Sequence, residues 1–203
     1  MSANSRRTFG DNMAWYAVRN ANAQQISAAL QLTSLTKTSW DDGIKAIYED
    51  CDTNDDAHTW SRVFITPPVN NWILVAGWWA MSHLEHIGLQ QMETLCKSLS
   101  VNFDEVQNIG VNSKVDYYQW VLAKKGVLVR SFEYLQSEVM PNLYGSPTDA
   151  EIALGWPADA QETWRPTLPE VLALAGRWSI NPMELNSGVG GPCYIVNTPE
   201  HRD

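Results

Sequence analysis

Long apolar runs, basic charge, paired cysteines and cofactor-type glycine loops are scarce or missing in this chain, and each shortage removes a class of function. No stretch approaches the roughly eighteen apolar residues that mark a bilayer span. The N-terminal MSANSRRTFGDNMAWYAV has two arginines but no apolar core of signal-peptide length. A soluble, unexported, cytoplasmic protein with no membrane partner is expected. Only 14 Lys and Arg stand against 23 Asp and Glu, a formal charge of −9, whereas nucleic acids and anionic membranes are gripped first through clustered Lys and Arg. No nucleic-acid partner is expected, and a basic partner would suit the charge. Three cysteines, Cys51, Cys96 and Cys193, are an odd number without metal-ligand spacing, so they read as reduced thiols.

Recognisable catalytic and cofactor motifs are missing as well. No serine sits in a G-x-S-x-G elbow and no glycine loop carries a phosphate-binding lysine. Gly188-x-Gly190-Gly191-Pro192 follows no strand-to-helix context. His83-Leu84-Glu85-His86 sets two imidazoles three positions apart, but nothing downstream completes the HExxH pattern. Asp50-Cys51-Asp52-Thr53-Asn54 starts like a calcium loop and then fails, with Asp55 where glycine is needed and Ser61 where a bidentate glutamate is needed. The segment from Leu168 to Leu185 has the outline of a helix-turn-helix, yet no basic recognition helix follows it. Cys96 lies on an apolar helix stripe and reads as core rather than nucleophile. The expectation is therefore no catalytic residues, no metal and no cofactor.

What the chain does have is a core. Hydrophobic residues make up 44% of its 203 positions, charged ones only 18%, and ten tryptophans are spread along the whole length. That composition can anchor every segment to one shared interior. The densest stretch is Arg62 to Trp79. Val63 to Thr66 reads as a strand ended by Pro67-Pro68, Val69-Asn70-Asn71 can turn, and Trp72 to Gly77 is apolar on both faces, which places it as the central strand of a sheet with a layer packed on each side.

Periodicity supplies the remaining elements. Residues 15 to 18 form a short first strand, and Asn22 with Gln25 opens a helix over 23–32. Ser39 and Asp42 start a helix over 39–49, and the capping pair Ser82 and Glu85 starts one over 83–100, weakened by Gly88. Strand-formers occupy 105–111, 116–124 and 127–135, the last two joined by a Lys125-Gly126 turn. Residues 141–147 read as loop, Thr148 with Glu151 caps a short helix, and 156–169 is a proline-rich surface connection held by Trp156 and Trp164. Thr167 with Glu170 caps a helix over 168–178. Tyr194-Ile195-Val196 is briefly strand-like. The expected fold is α+β, a single domain over 1–203 with a central, mostly antiparallel sheet flanked by helices. Residues 1–12 are expected to be disordered and 186–203 a loosely packed tail.

Several of these pieces carry a resemblance. A helix ending in Leu30-x-Leu32, the helix start Trp40-Asp41-Asp42-Gly43-Ile44, the strand V-F-I-T-P-P (Val63 to Pro68), the strand W-x-L-V-x-G (Trp72 to Gly77), Leu99-Ser100 at a helix end, V-R-x-F-x-Y (Val129 to Tyr134) and A-x-x-W-S-x-x-P (Ala175 to Pro182) resemble a bacterial protein family largely uncharacterised in function. The resemblance covers about residues 14–185 and rests on packing and turn residues. In size and acidity the chain is similar in type to cytosolic immunity proteins, which neutralise toxins delivered by type VI secretion or contact-dependent systems. That likeness implies binding to a basic toxin domain. The candidate surface is Glu49, Asp50, Asp52, Asp55, Asp56 and the neighbouring Trp60, five carboxylates within eight residues beside one aromatic. The alternatives are a small cytosolic enzyme with an unidentified polar site, and an adaptor or chaperone for a secreted effector.

Overall fold

The computed structural model describes residues 8–52, 62–81, 88–136, 141–157 and 164–198, with backbone only for 50–52. Its frame is one nine-stranded antiparallel sheet in the order β2-β9-β3-β4-β1-β5-β6-β7-β8. The strands are β1 (Met13–Arg19), β2 (Thr33–Thr38), β3 (Arg62–Ile65), β4 (Trp72–Ala76), β5 (Glu105–Asn112), β6 (Tyr117–Lys124), β7 (Val127–Leu135), β8 (Asn142–Tyr144) and β9 (Cys193–Asn197). Five helices accompany them: α1 (Ala23–Ala29), α2 (Trp40–Asp52), α3 (Leu89–Phe103), α4 (Asp149–Ala153) and α5 (Leu168–Trp178). The α+β class and the antiparallel sheet are as expected.

The middle strand is β1, flanked by β4 and β5. Strand residues alternate between faces, and here both sets are buried: Met13, Trp15 and Ala17 on one side, Ala14, Tyr16 and Val18 on the other. On the Trp15 face, Trp15 meets Phe9 edge-on at 6.1 Å, Phe9 meets Phe64 at 6.4 Å, and Phe64 meets Trp40 of α2 at 5.3 Å. On the Tyr16 face, the Tyr16 hydroxyl donates to Met92 Sδ of α3 at 2.9 Å, and Trp79 lies 5.7 Å from the Tyr16 ring. Gln107, opposite Ala17 on the Trp15 face, donates to the Trp178 carbonyl of α5 at 3.2 Å, so α2 and α5 cover one face while α3 covers the other.

The 62–77 hairpin forms as its residues dictate. Asn70 and Asn71 both take positive φ, 48° and 67°, which is the twist a two-residue hairpin turn requires. β4 is buried at every position and interior to the sheet, one place from the centre that β1 occupies. Lys125 (φ 48°) and Gly126 (φ 80°) make the same kind of turn between β6 and β7. Asn22 and Thr148 cap α1 and α4 with reciprocal side-chain bonds to Gln25 and Glu151.

Other expectations need correction. Residues 8–12 are not a frayed terminus, because Phe9 is fully buried and joins the aromatic chain under β1. α1 ends at Ala29, and the residues after Leu32 form β2, an exposed edge strand of hydroxyls with a bulge and Ser34 at φ 58°. α3 begins at Leu89 with Gly88 as its N-cap, so Gly88 precedes the helix rather than weakening it. Ser82 and Glu85 lie outside the described residues. The 141–147 loop contains β8, whereas the 156–169 connection is held by Trp156 and Trp164 as expected, with Trp156 7% exposed and 4.9 Å from Trp120.

The largest correction concerns the tail. β9 is inserted between β2 and β3, with Val196 wholly buried opposite Val63 and Cys193 5% exposed beside Thr38. A strand hydrogen-bonded on both sides is part of the core, not a loose end. Replacing Val196 with Ala should therefore lower unfolding stability by about 2 kcal/mol, the sum of lost burial and the cavity left behind. Urea denaturation would show an unchanged midpoint if the tail were loosely packed.

Candidate functional site

The acidic segment starts on the last turn of α2, where Ser39 begins the helix by accepting from the Asp42 amide at 3.1 Å and donating to Asp42 Oδ2 at 2.7 Å. Glu49, Asp50 and Asp52 fall at its C-terminal end, with no basic residue in that turn. Helix carbonyls already make that end negative, and each exposed carboxylate there is unfavourable by about 0.3–1 kcal/mol. Glu49 is half-exposed and paired, with Lys45 Nζ at 3.6 Å and Arg62 Nη1 at 3.3 Å, so the structure offsets part of its charge. Asp50 and Asp52 have only their backbone described, and Asp55, Asp56 and Trp60 lie outside the described residues.

Beside this helix end lies an open groove of about 430 Å³ between α2 and strands β2, β9 and β3. Thr36, Lys37, Asp42, Lys45, Glu49 and Arg62 contribute to its walls. It is mixed in charge, rich in hydroxyls and open, the character of a macromolecular contact surface rather than of an enclosed small-molecule pocket.

A second arrangement was not foreseen: a buried polar chain between the sheet and α3. Asn108 Nδ2 donates to the Ala80 carbonyl at 2.9 Å, Gln119 Nε2 donates to Asn108 Oδ1 and reaches Ala80 O at 3.5 Å, and Tyr117 OH lies 2.5 Å from Gln119 Oε1 and 2.8 Å from Glu133 Oε1. The phenol has one proton and shares it between amide and carboxylate. Asn142 Nδ2 donates to Glu133 Oε2 at 3.3 Å, which carries the chain to the sheet edge. Gly110 makes the route possible, since a Cβ there would sit 2.7 Å from Gln119 Cγ. Alongside it, Ser131 Oγ donates to Glu93 Oε1 at 2.5 Å. The clue in the sequence was polar residues set in the middle of strands, Gln107-Asn108 and Gln119, which alternation alone did not assign to a common face.

The opposite face holds a buried ion pair. Arg130 Nε donates to Glu151 Oε1 at 2.9 Å, and the same carboxylate accepts from Trp120 Nε1 at 3.1 Å and from the Thr148 amide at 2.7 Å. Glu151 thus serves both as the capping residue read from the sequence and as the counter-ion of a buried arginine.

Among the described residues no group of three or more His, Cys, Asp or Glu could hold a metal ion. The chain's four histidines, His83 and His86 among them, fall outside those residues, as does most of the failed calcium loop. Cys96 is fully buried on α3, where burial foremost and Glu93 secondarily push its thiol far above the ordinary range. Burial likewise raises the Tyr16 phenol, with Cys96 adding to the shift. A buried neutral thiol is inert as a nucleophile. No protein-family model, curated protein or solved structure matches the chain.

The raised values fix a pH dependence. The unfolded chain loses these two protons near pH 8.5 and pH 10, roughly, while the folded chain keeps them, so the unfolded state is favoured as pH rises. The stability they contribute is complete below about pH 8.5 and declines above it, by up to about 1.4 kcal/mol per pH unit for each group. Urea midpoints measured from pH 7 to 10 should fall, and Cys96→Ala should flatten the part of that fall beginning near pH 8.5.

Proposed function

We propose that the chain is an immunity protein: a cytoplasmic, non-catalytic binding protein that neutralises a basic bacterial toxin domain, of the kind delivered by type VI secretion, by covering its active site. The observation that carries this reading is the acidic end of α2. Three of the five carboxylates between positions 49 and 56 stand on a helix terminus where the macrodipole opposes them, and a local conflict of this kind is a mark of function rather than of folding. A chain at −9 with such a focus attracts cationic surfaces and accelerates their encounter. The open groove beside Glu49 supplies contact area next to the charge. The motif resemblance bears on packing and supports the reading by type only.

A second reading is favoured by the buried polar chain. Asn108, Gln119, Tyr117 and Glu133 form a continuous hydrogen-bonded path from the interior to the sheet edge, and an apolar interior would serve stability at least as well. Under that reading the protein is a small enzyme in which Glu133 and Tyr117 move a proton.

Changing Asp52, Asp55 and Asp56 together to Ala should slow association with a cognate basic toxin domain several-fold at low salt, and flatten the salt dependence, with folding unchanged. Stopped-flow association of the purified pair measures it. An unchanged rate and salt slope would move the interface elsewhere. A turnover found in substrate screening and lost in Tyr117→Phe would replace binding with catalysis.

A further inference from the structure

Among the described residues the sheet ends in two edge strands, each paired on one side only, and they display different chemistry. β2 presents hydroxyls and Lys37, whereas β8 presents Leu143 at 47% exposure and Tyr144 at 52%. Register assigns the faces: Tyr144 lies opposite Ser131 and Asn142 opposite Glu133, on the side covered by α3, while Leu143 lies opposite Phe132 on the other side. Two carboxylates stand immediately behind the α3-side pair. Glu93 is bonded to Ser131, Tyr144's cross-strand partner, and Glu133 reaches over β8 to Asn142.

An edge strand of three residues is too short to hold its own position. Here it is pinned. Arg130 Nη1 donates to the Gly145 carbonyl at 2.6 Å and to the Tyr144 carbonyl at 3.4 Å, and Arg130 is itself held by the fully buried Glu151. A buried ion pair is no better than well-packed apolar residues as a source of stability. What this one supplies is placement: it fixes β8 against β7 with its outer side open.

We propose that β8 is a docking edge that takes an extended segment of a partner protein as a tenth strand, in which basic residues flank an apolar one. Strand alternation sets that pattern. The added residue opposite Leu143 shares its exposed apolar face, and the residues on either side point over Asn142 and Tyr144. Adjacent strands are about 4.8 Å apart, so a Lys or Arg there comes over the Tyr144 ring on the face where Glu93 and Glu133 stand, combining cation–π attraction with the longer-range pull of carboxylates that keep their own hydrogen bonds. A second copy of this chain is the poorer occupant, because joining β8 to β8 sets Glu93 and Glu133 of both copies on one face of the joined sheet. This edge lies at the opposite end of the sheet from α2 and β9, and the proposal does not depend on the acidic helix end.

The test uses the full chain and two labelled peptides of about eight residues, one alternating Arg and Val and the other alternating Glu and Val. Fluorescence anisotropy should show binding of the Arg-Val peptide alone, weakened by salt, and amide exchange should show new protection at Leu143 and Tyr144. Leu143→Ser combined with Tyr144→Ser should weaken binding by about tenfold or more, the scale expected for an aromatic anchor. Both positions are exposed, and an unchanged urea midpoint confirms that the variant is folded. The proposal is overturned if the Arg-Val peptide does not bind, if the double variant binds it equally well, if protection appears at β2 or α2 instead, or if the free chain dimerises through β8.

Discussion

The sheet depends on β1 being covered from both sides. Every residue from Met13 to Val18 is buried, so the strand has no solvent face, and the two layers above and below it must form together or not at all. The aromatic chain Trp15, Phe9, Phe64, Trp40 ties α2 and the segment before β1 to one face. Tyr16, Met92 and Trp79 tie α3 and the turn after β4 to the other. From β1 the sheet extends in both directions, and its two halves carry different chemistry: the β9 half supports α2 and its acidic end, and the β6–β8 half holds the buried polar residues.

Those polar residues explain why the second half is not a plain hydrophobic layer. Glu151 and Arg130 on one face, and Asn108, Gln119 and Tyr117 on the other, are almost fully withdrawn from solvent, yet each finds named partners. Satisfied in this way they restrict the interior to one arrangement, since a slip of one residue in β6 would exchange Gln119 with Trp120 across the sheet and strand both. Both networks also reach β8, one through Glu133 and Asn142, the other through Arg130 and the Tyr144 and Gly145 carbonyls.

The parts legible in the sequence were those written locally. Asn22, Thr148 and the Asn70-Asn71 and Lys125-Gly126 turns act within a few residues of themselves, and the elements they bound are present. The parts that were not legible depend on distant pairing. β2 and β9 lie about 160 residues apart in sequence and complete one another, since neither the hydroxyl-rich 33–38 nor the short 193–197 has the alternation of an independent strand. The exchange of β4 for β1 at the centre has the same origin: both are apolar on both faces, and only the neighbours decide which stands in the middle. Of the candidate surface, the charge was readable. Lys45 at helical spacing was the readable half of Glu49's pairing, and Arg62 required the fold.

The nine strands should behave as one cooperative body organised on β1, and native-state amide hydrogen exchange tests that most directly. Amides of β1, β4 and β5 should exchange only through global unfolding, with the same free energy and the same denaturant dependence, while β2 and β8 exchange through local opening at lower free energy. If β3, β4 and β9 instead open together well below the free energy of β5, β6 and β7, the sheet is two independent units and β1 does not hold it together.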